Sequence, residues 1–335
     1  MKEYIHSHPF TLENGKILNG ITINYATYGE LNADASNVVW VCHALTANAD
    51  VASWWPGLVG EDYFISPEKY FIVCANIIGS CYGSTGPASI DPAAQKPYRQ
   101  NFPQVTIRDM VQAHQLLREH LGIKKIHLLI GGSMGGYQAL EWCVMEKDLI
   151  ENLFLLVTSA TESAWGIGIH SAQRLAIEAD PSWNNDVPEA GQNGLKAARA
   201  IGILSYRNYN NFVQKQSDPD PEKTDDYKAS SYINYQGQKL ATRFNTNSYW
   251  LLTKAMDSHH IARGRGGNVD AVLASISQKT LVIGISSDIL CPVDEQKHLA
   301  AAIPNATYAE IDSDYGHDGF LIETEKITAH LQKWL

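Results

Sequence analysis

One short segment constrains this chain more than any other. It is Gly131-Gly132-Ser133-Met134-Gly135, a G-x-S-x-G match. The pattern alone is weak, but its setting is specific. The run Lys125-Ile126-His127-Leu128-Leu129-Ile130 reads as a strand leading directly in. Tyr137-Gln138-Ala139-Leu140-Glu141-Trp142 reads as a helix leading directly out. A strand–turn–helix junction of this kind presents a serine hydroxyl on a sharp turn, and the glycines are needed because the turn leaves no room for β-carbons. The competing interpretation is a glycine-rich helix start with a packing serine. The two flanks favour Ser133 as a nucleophile.

The remainder of the chain supplies a scaffold for such a junction. Val38-Val39-Trp40-Val41-Cys42, Tyr70-Phe71-Ile72-Val73-Cys74, Leu153-Phe154-Leu155-Leu156-Val157, Thr280-Leu281-Val282-Ile283-Gly284-Ile285 and Thr307-Tyr308-Ala309-Glu310-Ile311 are near-continuous apolar runs. Buried parallel strands have this character. Helical patterns at residues 107–121, 136–145 and 323–335 alternate with them, which predicts an α/β fold with a mostly parallel central sheet and helices on both faces. The alternation breaks between residues 160 and 268, which hold helical patterns and polar loops but no convincing strand. Strand-like runs resume afterwards. The expected organisation is therefore a core of residues 1–159 and 269–335 with an inserted helical lid at 160–268; an independent second domain is the alternative.

At 335 residues the chain exceeds what one simple core usually holds, which agrees with a core plus a second lobe. A formal net charge of −10 argues against nucleic acid or an anionic membrane as the main partner. The five cysteines are scattered without a CxxC pair, so reduced thiols are expected rather than disulfides or a zinc site; no metal is expected. The N-terminal residues Met1-Lys2-Glu3-Tyr4-Ile5-His6 lack the apolar stretch of a signal peptide, and no apolar run reaches the roughly 20 residues that span a bilayer. The expectation is a soluble, cytoplasmic protein.

A serine nucleophile needs a base, and the base needs an orienting acid. On this kind of scaffold the order along the chain is serine, acid, histidine. Asp288 follows the strand ending near Ile285, at the strand ends where active-site loops gather in open α/β sheets. His317 follows the next strand in Asp314-Tyr315-Gly316-His317-Asp318-Gly319. Asp294 is the alternative acid but begins a helix and reads better as a cap; His298 and His330 fall in helical patterns. An oxyanion hole needs two backbone N–H groups. Met134 should supply one, and the loop His43-Ala44-Leu45-Thr46-Ala47-Asn48 the other, through Leu45. His43 precedes the serine, so a structural role is expected for it. Two further features are set aside. Gly264-Arg265-Gly266-Gly267 follows a polar helix rather than a strand, so it fits no phosphate loop. His259 and His260 are adjacent and diverge on a helix.

With these pieces placed, the sequence resembles the homoserine O-acetyltransferase family of α/β-hydrolase-fold acyltransferases. The matching segments are CHALTAN at 42–48, NIIGSCYGSTGPASIDP at 76–92, FPQVTIRDMV at 102–111, GGSMGGYQALEW at 131–142, GLKAARAIGILSYR at 194–207, MDSHHIARGRGG at 256–267 and YGHDGFL at 315–321. Tyr137, where the family often has methionine, and Ala47-Asn48-Ala49-Asp50, in place of a glycine-containing turn, depart from the pattern near the expected acyl site. The resemblance implies an α/β-hydrolase fold, no permanently bound cofactor, and acetyl-CoA and L-homoserine as substrates. It implies that acetyl passes through Ser133 to the homoserine hydroxyl, in methionine biosynthesis. It further implies Arg199 for the carboxylate, Asp318 for the ammonium, and a homodimer formed through the lid. Tyr206 lies seven residues after Arg199, about two helical turns, so the two can share a face and Tyr206 is expected to line the same pocket. Succinyl-CoA as donor, serine as acceptor, a plain esterase and a non-catalytic binding protein remain the alternatives.

Overall fold

The computed structural model describes residues 1–335. Eight strands form one sheet: β1 Lys2–His6, β2 Ile21–Tyr28, β3 Val38–Cys42, β4 Phe71–Ala75, β5 Ile126–Gly132, β6 Ile150–Leu156, β7 Lys279–Ile285 and β8 Ala306–Ile311. Their spatial order is β1-β2-β4-β3-β5-β6-β7-β8. From β4 across to β8 every neighbouring pair is parallel, whereas β2 runs antiparallel to both β1 and β4. The six strand-like runs of the sequence are six of these parallel strands. The antiparallel pair escapes that reading because Ile21–Tyr28 alternates apolar residues with Thr22, Asn24 and Thr27 instead of forming a continuous run, as a strand near a sheet edge does.

Both faces of the sheet are covered, and each strand divides its side chains between them. Val38, Trp40 and Cys42 enter one apolar cluster, while Val39 and Val41 enter the other; the two-residue period of a strand requires this. Helices α1 Ile107–His120 and α2 Met134–Met145 pack on the first face through Met110, Leu117, Leu140 and Cys143. The C-terminal helix, Thr324–Trp334, packs on the second face through Ile327, Leu331 and Trp334. The start of α1 is fixed by a capping box between Thr106 and Asp109.

Between β6 and β7 lie five longer helices and no strand of the sheet: α3 Ala164–Glu178, α4 Gln192–Tyr206, α5 Tyr209–Gln216, α6 Lys228–Ala241 and α7 Thr246–Asp257. The chain leaves and re-enters at one point, where Thr161 bridges His260, the Glu162 N–H donates to the His259 carbonyl and the Ile261 N–H to that of Ala160. Buried residues of these helices, such as Ile177, Leu195, Tyr249 and Leu252, belong to the same apolar cluster as the first face of the sheet. The helices and the sheet therefore share one core.

The register aligns the strand ends. Cys42 at the end of β3 pairs with Gly131 of β5, Leu156 of β6 pairs with Gly132, and Ile285 of β7 pairs with Ile311 of β8. The strand order reverses at β3, so a crevice opens outside the carboxyl ends of β3 and β5.

Candidate active site

Ser133 joins β5 to α2 with φ +54° and ψ −128°, a conformation that costs a non-glycine residue on the order of 1–3 kcal/mol. Its backbone is held from both sides: its N–H donates to Leu156 O at 3.0 Å, and its carbonyl accepts from Thr158 Oγ1 at 2.9 Å. The glycines around it are steric requirements. A β-carbon on Gly131 would lie 2.1 Å from Gly135 O, one on Gly135 would lie 2.1 Å from Cys42 O, and one on Gly136 would meet Thr158.

His317 Nε2 lies 2.9 Å from Ser133 Oγ, and its Nδ1 lies 2.7 Å from Asp288 Oδ2. The other carboxylate oxygen, Asp288 Oδ1, accepts from the N–H groups of Leu290 at 2.8 Å and Cys291 at 3.0 Å. All three side chains are buried. Burial works against a charge on His317, but the Asp288 carboxylate and its hydrogen bond outweigh it and hold the imidazole above its ordinary value. The two loops carrying Asp288 and His317 are tied together: Ser287 Oγ accepts from the Gly316 N–H at 3.0 Å and donates to the Ser313 carbonyl.

The sequence sets aside Asp294 as a helix cap, His298 as a helical residue and His43 by its place before the serine, and none of the three joins the triad. Asp294 lies in the first turn of helix Val293–Ala302, but the cap residue there is Pro292, so Asp294 is a first-turn acid rather than the cap. His298 pairs with Asp270 at the surface. His43 is fully buried, and burial pushes it down to about 4. Its Nε2 accepts from the Ile77 N–H at 3.2 Å, so the proton sits on Nδ1 and is donated to Ala44 O at 2.9 Å. A neutral His43 thus shapes the loop after β3. The Leu45 N–H of that loop has no partner in the protein. Met134 is the first residue of α2, and N–H groups at a helix start lack intrahelical partners.

Leu45, Ser133, Arg199, Tyr206, His317 and Asp318 all line one cavity of about 520 Å³. Arg199 makes no hydrogen bond or ion pair with any protein group; its guanidinium lies over the Tyr206 ring, 5.4 Å from the centroid. The Tyr206 ring lies 5.8 Å from that of His317. Asp318 is ion-paired with Arg207. Sequence reading missed Arg207, and the pairing joins positions 111 apart, although Arg207 follows Tyr206 directly at the end of the 194–207 segment.

Two departures from the expected pattern separate here. Ala47 and Asn48 line the cavity, whereas Tyr137 does not. Tyr137 is buried behind the wall, stacked on His259 at 4.0 Å between centroids and donating to Glu162 at 3.1 Å. Gly264-Arg265-Gly266-Gly267 is a turn in which Arg265 meets the buried Glu141 of α2 at 2.7 Å. Atoms of Asp288, Cys291 and His317 converge within 4.8 Å, but both His317 nitrogens are engaged. Burial, then the neighbouring Asp288, raises the Cys291 thiol well above its ordinary value. The cluster is chemically committed to the serine.

Comparison with known proteins places the chain in a family. The family model for the alpha/beta hydrolase fold matches residues 37–324. A homoserine O-acetyltransferase from Cyclobacterium marinum is 51% identical over 317 residues, covering 95% of this chain and 90% of its own length. The chain belongs to the homoserine O-acetyltransferase family. This is a family of acyltransferases. Among solved structures, homoserine O-acetyltransferase from Bacillus anthracis matches with a TM-score of 0.93 at 23% identity, covering 99% of this chain and 96% of that one. Esterase E22 matches with a TM-score of 0.90 at 22% identity, covering 99% of both chains. At such identities the two structures establish the fold alone.

Proposed function

We propose that the protein transfers acetyl from acetyl-CoA to the hydroxyl of L-homoserine through an acetyl-Ser133 intermediate, as a step of methionine biosynthesis. The observation that carries this reading is Arg199. A half-buried arginine with no protein partner, on the wall of the cavity that holds Ser133, is a site for a carboxylate, which a guanidinium binds through two parallel hydrogen bonds. Asp318 adjoins His317 and offers a carboxylate to an ammonium group. Together they suit an amino acid whose hydroxyl reaches the serine.

In the first half-reaction His317 takes the proton from Ser133 Oγ as the oxygen attacks the thioester carbonyl carbon. The oxyanion is met by the Leu45 and Met134 N–H groups, and collapse expels the CoA thiolate, which receives the proton. In the second half, His317 deprotonates the homoserine hydroxyl, the new ester forms, and the proton returns to Ser133. Asp288 stabilises the imidazolium in both halves. The acceptor must outcompete water, and the helical wall over one side of the cavity helps by limiting its exposure. No cofactor beyond the acetyl-CoA co-substrate is needed.

The test is CoA release from acetyl-CoA by the purified protein. Release beyond one equivalent per active site should depend on L-homoserine; no such turnover from folded protein would overturn the reading. Ala47 and Asn48 in the cavity wall favour testing a second one, a different acyl donor or acceptor. Rates with acetyl-CoA and succinyl-CoA against homoserine and serine decide it. A homodimer through the helical insertion is proposed as well, supported by the large apolar side chains its helices expose: Trp165, Leu175, Leu204, Tyr209 and Tyr235. A monomer mass by light scattering at micromolar concentration would overturn it. No helix is long and apolar enough to cross a membrane; a cytoplasmic setting is part of the proposal.

A further inference from the structure

A second histidine, His170 on α3, lines the same cavity as Ser133 and His317. It is 3% exposed. Its Nδ1 lies 2.8 Å from Asp257 Oδ1. A carboxylate only accepts, so Nδ1 carries a proton and donates it. The other oxygen, Asp257 Oδ2, accepts from Arg174 Nη2 at 2.6 Å, and Arg174 is itself braced by Thr253 and Ser171. The imidazole is therefore fixed, and the one polar atom it has left, Nε2, has no protein partner.

The packing of α3 on α4 places this nitrogen. The two helices run antiparallel: Gly194 approaches Ile177 near one end, and Gly202 approaches Gln173 towards the other. Continued by one turn, that register sets His170 against the last turn of α4, which carries Tyr206. Arg199 covers the same Tyr206 ring. Arg199 and His170 are thus two polar groups of one wall, both unoccupied by protein partners on the cavity side.

We infer that His170 is a second recognition residue for the amino-acid acceptor, its Nε2 donating to the acceptor carboxylate beside the Arg199 guanidinium. The inference rests on the proposed transfer to an amino acid. A carboxylate has about four lone-pair sites, an arginine fork fills two of them, and those left empty away from water are costly. For Nε2 to donate while Nδ1 donates to Asp257, the ring must be an imidazolium. One neighbour is suited to that charge: the Asp257 carboxylate, already shared with Arg174.

The test measures discrimination among acceptors by the full-length enzyme with acetyl-CoA. 3-Amino-1-propanol lacks the homoserine carboxylate, and 4-hydroxybutyrate lacks its ammonium. In His170→Ala, kcat/KM for homoserine should fall about ten- to a hundred-fold, chiefly through KM. The preference for homoserine over 3-amino-1-propanol should shrink by the same factor. His170→Gln, which keeps a donor at similar reach, should recover part of it. An equal loss with both acceptors would reduce His170 to a packing role and overturn the inference. Loss of discrimination against 4-hydroxybutyrate instead would place Nε2 at the ammonium and overturn it too. Stoichiometric CoA release from acetyl-CoA alone shows that the Ser133 site is assembled in each variant. If His170→Ala fails that check, Asp257→Asn, which releases the ring while keeping its neighbour's size, is read for the same ratio. Absence of homoserine-dependent turnover in the unaltered enzyme would sink the functional reading itself, an outcome distinct from an active enzyme whose ratio ignores His170.

Discussion

On the sheet side of the cavity each reacting group stands on a turn that follows a parallel strand: Ser133 after β5, Asp288 after β7, His317 after β8. On the helical side Arg199 and Tyr206 stand within α4, and His170 within α3. Both sides contain a histidine held by a carboxylate, at 2.7 Å in one case and 2.8 Å in the other. Only the histidine on the sheet side reaches a nucleophile. The turns are fixed by backbone register and by contacts that tolerate no β-carbon, so their geometry is all-or-none. The helical wall is fixed by side-chain networks, which can be altered one group at a time while the sheet stays intact. On the proposed reading, bond making belongs to the strand ends, and recognition of the acceptor carboxylate belongs to the helices.

The largest expected effects test the first half of that division. Ser133→Ala should lower turnover on the order of a million-fold and abolish CoA release from acetyl-CoA alone. Unchanged turnover would make the constellation non-catalytic. Asp288→Asn should cost about ten-thousand-fold in kcat with little change in KM. A smaller and differently distributed loss is expected on the other wall. Arg199→Ala should lower kcat/KM for the acceptor about a hundred-fold, mainly through KM. A loss confined to kcat would break the division.

The pH profile sharpens it further. The base must be unprotonated, and Asp288 holds His317 above its ordinary value of 6.5. Activity should therefore fall with acid along a limb centred above pH 6.5. In Asp288→Asn that limb should move to lower pH, measured on the residual rate, because the charge that favours the imidazolium is gone. Leu175→Asp, on an exposed face of α3, should shift the mass in solution towards the monomer while leaving transfer close to that of the unaltered protein.

The same contrast explains what could be read in advance. Ser133, Asp288 and His317 were legible because each follows a recognisable strand and their order along the chain is fixed by the scaffold. The strand Ile21–Tyr28 was not, since its alternating polar residues resemble no buried run. On the helical wall, Arg199 emerged only through resemblance, and Tyr206 through a seven-residue spacing from it that merely permits a shared face. Arg207 with Asp318 and His170 with Asp257 were invisible, because they join residues 111 and 87 apart through helix packing that no local pattern encodes.

The turn at Ser133 has one more consequence. A residue with φ +54° is held where glycine would rest at ease. Ser133→Gly should relieve about 1–3 kcal/mol of strain against about 0.5–1 kcal/mol of added chain entropy in the unfolded state. It should therefore melt at a slightly higher temperature while losing all transfer. Selection for heat resistance alone would erode this position, and only selection for turnover keeps an oxygen there.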